Sequence, residues 1–189
     1  MKPAVLVIAL GVVAACCAGA AEAGGNANFV LGARGLDEDF WSPDEDQGVL
    51  GVTVDFGRRG WPIHLAAGTA ASGAEEHVSG GGKFSVGIGE LSFGVLKVWE
   101  PQGWTLRPYV GGGLAIVSAS AELKDGSRVE DDDTSAGVYA QGGVFWRIGP
   151  KFNIGLDLRV MGGTDITLFG ASGDADYGQA GLVLGWGWP

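Results

Sequence analysis

The sequence has 189 residues, 36 of them glycine, and a formal net charge of −10 at neutral pH. That length suits one domain behind a short presequence. The acidic balance excludes a nucleic-acid binder, and glycine scattered through apolar segments without a Gly-X-Y period excludes collagen and flexible linker.

The chain opens on Lys2 and an apolar run over 4–15, too short to cross a bilayer as a helix. This reads as a signal peptide over 1–23: Ala21-Glu22-Ala23 offers a small-x-small cleavage site before Gly24, leaving a mature domain over 24–189. A lipoprotein box over 13–16, with Cys16 acylated, is the alternative. Cleavage after Ala23 is preferred because the mature chain reads as a barrel that needs no lipid anchor. Both cysteines, Cys16 and Cys17, would then leave with the presequence.

From Asn26 onward apolar residues recur at every second position, the signature of strands with one apolar face. The pattern predicts strands over 27–36, 47–57, 62–72, 83–99, 106–121, 134–148, 152–164 and 176–188. In the clearest of them Phe152, Ile154, Leu156, Leu158 and Val160 alternate with Asn153, Gly155, Asp157, Arg159 and Met161. The segment 83–99 changes phase, from Phe84, Val86 and Ile88 to Leu91, Phe93 and Val95, which predicts a β-bulge near Gly89-Glu90. No space remains for crossover helices, so the sheet is an antiparallel meander.

The connections alternate in kind. The first, third, fifth and seventh read as long acidic loops, carrying Asp37 to Asp46, Glu75-Glu76-His77, Glu130-Asp131-Asp132-Asp133, and Asp174 with Asp176. The second, fourth and sixth are short and basic or turn-like: Gly57-Arg58-Arg59-Gly60, Pro101-Gln102-Gly103 and Gly149-Pro150-Lys151. A meander puts odd and even connections at opposite ends, giving an acidic pole and a tight-turn pole, as in outer-membrane barrels. Trp61, Trp99, Trp104, Trp146, Trp186 and Trp188, with Phe152, fall near the tight turns, where an interfacial aromatic girdle belongs. Trp41 lies at the other end.

The face opposite the apolar set holds Arg34, Asp55, His64, Glu90, Arg107, Tyr109, Gln141, Arg147, Asp157, Arg159 and Gln179 among glycines. A soluble lipocalin-type ligand-binding barrel would turn the apolar set inward. Glycines fit better in a narrow lumen, however, and water-facing tryptophans would be unusual. The fold expected is all-β: a single eight-stranded antiparallel up-and-down transmembrane β-barrel. Inside it, Asp55, Glu90 and Asp157 face Arg34, Arg107, Arg147 and Arg159, with Tyr109, as a network of polar groups that must satisfy one another. Lumen filling is the plain reading of this network, and a gated polar path is the sharper one.

Pro108-Tyr109-Val110-Gly111-Gly112-Gly113-Leu114-Ala115, the run Glu90 to Val95, and a last strand carrying Trp186 and Trp188 resemble the OmpA-like and OmpW-like small barrel families of the Gram-negative envelope. The resemblance implies outer-membrane lipid and lipopolysaccharide as surroundings. It also implies insertion by the outer-membrane assembly machinery, which reads an aromatic-ended final strand; here Pro189 makes the aromatic penultimate.

No catalytic constellation is expected. His64 sits beside a tight turn, and His77 lies in a loop with Ser79, Glu75 and Glu76. No cofactor or dedicated metal site is expected either, since the acidic loops lack EF-hand spacing and Gly111-Gly112-Gly113 has no phosphate-binding partner residues. Those loops read as solvated, with divalent cations that bridge lipopolysaccharide as their candidate ligands. Phe40-Trp41 marks the first of them as a contact point or a rim-packing element. The function expected is a non-enzymatic structural or surface-contact role. The alternative is a narrow channel or binding barrel for a small molecule, a hydrophobic one included.

Overall fold

The computed structural model describes residues 24–36, 38–41, 46–57, 61–78, 82–100, 103–125 and 127–188. The signal-peptide reading of 1–23 and the turn at 58–60 lie outside them. Strands β1 (Gly24–Leu36), β2 (Asp46–Gly57), β3 (His64–Val78), β4 (Gly82–Val98), β5 (Leu106–Asp125), β6 (Ser127–Ile148) and β7 (Phe152–Gly162) follow in order, with a helical turn α1 (Glu38–Trp41) between β1 and β2. Two short strands, β8 (Ile166–Leu168) and β9 (Ala171–Gly173), form a separate hairpin before the last strand, β10 (Tyr177–Trp188). Each of the eight long strands pairs antiparallel with its neighbours, and β10 pairs with β1 from Gly25↔Trp188 to Leu36↔Tyr177, closing the barrel.

The outward positions are the apolar ones. Phe29, Leu31, Leu50, Leu114, Val138, Leu158 and Val160 are all more than half exposed, as are Trp104, Trp146 and Trp186 at the tight-turn end. On β5 the apolar outward run extends from Leu106 to Ile116, which for a tilted strand is about 25 Å, the height of a hydrocarbon core. Closure is what makes such a surface viable in lipid, because no backbone edge is left unpaired at that depth.

Two expectations are corrected. Pairing of β4 with both neighbours runs unbroken through Gly89 and Glu90, so there is no bulge. The change of phase marks a change of surroundings: Leu91, Phe93 and Val95 face outward, whereas Val86 and Ile88 point into a lumen that is apolar at that height. The segments around Glu75 and Glu130 are also not loops. Strand pairing continues to Val78↔Gly82 and Asp125↔Ser127, giving β5 and β6 20 and 22 residues, about twice the 9–11 that a crossing requires. The β3–β6 side of the barrel therefore rises above the rest as a wall.

If the belt faces hydrocarbon, Val110→Arg at mid-belt should destabilise the refolded barrel by about 2–4 kcal/mol in urea titrations in lipid vesicles. Ser120→Arg, above the belt, should change little.

Candidate functional site

Glu90 is the centre of the lumen. Its carboxylate accepts from Arg34 Nη2 at 3.0 Å, from Tyr177 Oη at 2.5 Å and from Arg159 Nη2. Arg34 also donates to Gln179 Oε1 at 2.9 Å and reaches Ser72 Oγ, which donates to Gln47 Oε1 at 2.8 Å. Arg159 donates to Gln141 Oε1 at 3.4 Å. The guanidinium carbons of Arg34 and Arg159 lie 3.7 and 3.8 Å from the ring centres of Tyr177 and Tyr139, adding cation–π attraction. Every barrel strand except β5 contributes a group. Two arginines sharing one desolvated carboxylate is an arrangement that tolerates burial, although Arg159 Nε is buried without a hydrogen-bond partner of its own.

Below this clamp, towards the tight turns, Tyr109 stacks on Phe145 at 4.3 Å and its hydroxyl donates to Asp157 Oδ2 at 2.5 Å. Gly143 makes this possible, since a Cβ there would come within 2.6 Å of the Tyr109 hydroxyl. A narrow cavity of about 40 Å³ runs from the clamp past this layer to Asp55, room for a few waters but not for a solute. Lower still, Asp55 takes the Asn26 amide at 2.8 and 3.0 Å and sits 3.2 Å from His64 Nδ1.

Above the clamp the lumen is apolar: Val86, Ile88, Ala115, Val117, Ala119, Met161, Ile166 and Leu168 are buried together. Ile166 and Leu168 come from the β8–β9 hairpin, which folds over the mouth as a lid. The inward side chains of β6 hold it, two residues apart on each strand. Ser135 Oγ accepts from Asp165 N at 2.9 Å, Asp133 Oδ2 from Thr167 N at 2.7 Å, and Asp131 Oδ2 from Phe169 N at 2.6 Å. Asp176 closes the base of the lid by accepting from Thr164 N, Thr164 Oγ1 and Gly163 N at 2.9, 2.7 and 3.0 Å. On the far side Trp41 Nε1 donates to Asp174 O at 2.6 Å, seating α1 against the lid.

No family model and no curated protein matches the sequence. Solved structures do match. The Yersinia pestis attachment invasion locus protein Ail, solved in complex with the heparin analogue sucrose octasulfate, aligns over 88% of this chain and 97% of its own, at 10% identity and TM-score 0.58. Neisserial surface protein A aligns over 88% and 97%, at 12% and 0.57. A major outer membrane protein from Thermus thermophilus aligns over 88% and 99%, at 12% and 0.59. This chain has the fold of the small outer-membrane β-barrels. Within that fold, the described residues contain no group of three or more His, Cys, Asp or Glu side chains placed to hold a metal.

The polar residues anticipated for this barrel's interior are not one network. Arg34, Glu90 and Arg159 meet, but Asp157 bonds to Tyr109 and Asp55 to Asn26 and His64. Arg107 pairs with Glu100 at the tight-turn rim rather than with an interior carboxylate, and Arg147 Nε is buried there without a hydrogen-bond partner. Pairing is local because barrel layers separate groups by height along the axis. Gln47, Ser72, Tyr139 and Tyr177 complete the clamp, and the inward phase of each is the signal that could have found it. Trp61, Trp99, Trp104, Trp146 and Trp186 stand exposed at the tight-turn end, and Trp188 is half-buried. Asp131 and Asp133 are not the solvated loop residues expected; they hold the lid. The side chain of His77 lies outside the described residues.

Removing the shared carboxylate in Glu90→Ala leaves two buried cations, so a loss of about 3–5 kcal/mol is expected in urea unfolding. Asp157→Asn, whose partner is a neutral phenol, should cost only about 1 kcal/mol.

The N–H groups of Thr167 and then Thr134 hold the Asp133 carboxyl below its ordinary range. At Asp176 partial burial pushes upward, but the Thr164 and Gly163 donors outweigh it and the carboxyl is also lowered. Both groups therefore stabilise the lid above the ordinary carboxylate pKa of about 4 and lose that contribution as pH falls through their lower folded values. The protection factor of the Thr167 amide, taken relative to the slower intrinsic exchange at low pH, should fall there while those of the barrel strands hold.

Proposed function

We propose that this protein is a non-enzymatic outer-membrane barrel with a sealed lumen, serving envelope structure and surface contact through the raised β3–β6 wall and the lid. The observation that carries the reading is the double occlusion of the lumen. A hydrogen-bonded ionic clamp and, above it, an apolar plug lie in series, with only a water-sized cavity beneath. The exposed belt supports a membrane location, because apolar side chains of this size in a continuous band have no favourable place in water. That band also weighs against a soluble ligand-binding barrel.

The partners in this reading are the surrounding lipid and lipopolysaccharide and the assembly machinery acting on β10. Asp131, Asp133 and Asp176 are committed to backbone donors of the lid, so a rigid contact surface fits this pole better than a flexible one. The channel alternative requires the clamp and the plug to open together.

In planar bilayers the protein should give no steady conductance, and a variant lacking residues 165–175 should also stay silent because the clamp remains. Steady conductance from the intact chain would favour the channel. A single cysteine at Ser172 should react with an impermeant maleimide on intact cells, whereas one at Lys151 should react only after the outer membrane is permeabilised. Labelling in the reverse pattern would invert the assigned polarity.

A further inference from the structure

The tight-turn end of the barrel carries more cation than its own carboxylates neutralise. By sequence Arg58, Arg59, Lys97, Arg107, Arg147 and Lys151 fall at this end, with Asp55 and Glu100 as the acids near them, although the whole chain has a net charge of −10. Two of these cations belong to the wall of the lumen. Tyr109 and Phe145 are buried inside the barrel, and period two gives Arg107 and Arg147 the same inward phase. Arg107 pairs with Phe145 across β5–β6, and Arg147 N donates to Thr105 O at 3.0 Å, nearer the turn. The two arginines are therefore diagonal neighbours on one face, about 7–8 Å apart at the backbone and within reach of long side chains.

Their partners do not match their charge. Glu100 pairs with Arg107 and is itself largely exposed. Among the described residues Arg147 forms no ion pair, and Arg107 repels it more strongly than Glu100 attracts it. Arg147 Nε is buried without a partner, and so is Oδ1 of Asn153, its paired residue on β7. One water bridging these two atoms satisfies both and leaves the Nη donors of Arg147 unpaired. Nη2 lies 3.4 Å from where a side chain on Gly187 would begin, at the last inward position of β10.

We propose that Arg107 and Arg147 form a binding site for a phosphate-type oxyanion at the tight-turn mouth of the lumen. Two guanidiniums and one carboxylate leave one positive charge over, and a tetrahedral oxyanion answers it. Its oxygens accept from the Nη donors of Arg147, in the planar two-point manner that a guanidinium favours, and from the donors of Arg107 that Glu100 does not engage. Binding also removes the repulsion between the two arginines, so that repulsion adds to the affinity. A carboxylate fits less well, since Glu100 is one already and serves Arg107 alone. The inward phase of both arginines sets the site inside the ring formed by Trp104, Trp146 and Trp186, apart from the general attraction of interfacial cations to headgroups. A soluble phosphate ester and a lipid headgroup bent into the mouth offer the same chemistry. Only the placement of this mouth on the periplasmic side rests on the function proposed above.

The test is isothermal titration of the refolded protein in a phosphate-free maltoside detergent, with inorganic phosphate as one probe and short-chain phosphatidylglycerol as the other. Arg147→Gln removes the unpaired fork and leaves the Arg107–Glu100 pair. Arg147→Lys keeps the charge without the fork. Lys151→Gln removes a nearby cation that lies against the Trp186 ring, outside the lumen. Heat-modifiable migration on gels verifies that all three variants fold. The wild type and Lys151→Gln should bind one equivalent of a probe, with affinity several-fold weaker in Arg147→Gln and reduced by a smaller factor in Arg147→Lys. Binding of phosphate alone identifies a soluble source, and binding of phosphatidylglycerol alone a headgroup. No heat from either probe, or equal affinity in the wild type and Arg147→Gln, overturns the proposal. An equal loss in Lys151→Gln overturns it too, because a diffuse positive field would then be holding the anion. Reversed maleimide labelling at Ser172 and Lys151 would move the site to the other side of the membrane and leave the titration unchanged, so the two failures are distinct.

Discussion

The constraint on which the structure depends is that a chain surrounded by hydrocarbon must satisfy every backbone donor and acceptor within itself. Eight antiparallel strands meet it only by closing, and the β1–β10 seam from Gly25↔Trp188 to Leu36↔Tyr177 is the closure. Once the sheet is closed, the period-two alternation has two fixed destinations. Leucine, valine and phenylalanine go outward to lipid, and everything else goes into a lumen wide enough for side chains and little more. The lumen then becomes a problem of polar satisfaction, which Glu90 resolves at mid-height by serving two arginines and a tyrosine at once.

The lumen is layered rather than uniform. Near the tight turns Asp55, Asn26 and His64 form a partly wet polar layer; above them come the Tyr109–Asp157 pair and the Glu90 clamp; above these Ile88, Val117, Ile166 and Leu168 exclude water. The upper layer exists because the β3–β6 wall outgrows the membrane. An interior raised above the hydrocarbon still has to be filled, and the last long connection supplies the filling by folding back on itself. The acidic residues of β6 are then anchors for that fold-over. Asp131, Asp133 and Ser135 act through side chains where a paired strand would have acted through its backbone.

Much of this was legible in the sequence, for a physical reason: a strand between lipid and lumen has the sharpest two-sided environment a protein offers. In β7 and β10 the alternation of Leu156, Leu158, Leu182 and Leu184 with Asp157, Arg159 and Gln179 marks two-faced strands plainly. Legibility failed where the two sides become alike. Above the membrane both faces of β5 and β6 are polar or small, so the extensions of those strands looked like loops. Within β4, one apolar run facing lipid and another facing the plug looked like a bulge. The lid hairpin was also hidden, because its two-residue turn places Phe169 at φ 52° before Gly170 at φ 81°. A left-handed phenylalanine is not a turn signal; Asp131, far away in sequence, holds it there. Pairing inside the lumen was unreadable for a related reason, since composition gives the inward groups but not their heights along the axis.

The inside-out assignment itself is tested most directly by spin labels placed one at a time along β7 from Ile154 to Val160 in lipid vesicles. Collision rates with molecular oxygen and with a water-soluble nickel chelate should alternate with period two. Labels at 154, 156, 158 and 160 should favour oxygen, and those at 155, 157 and 159 should be shielded from it. Uniform access to the nickel reagent along the strand would contradict a lipid-facing belt, and the sealed lumen inferred from it would fall as well.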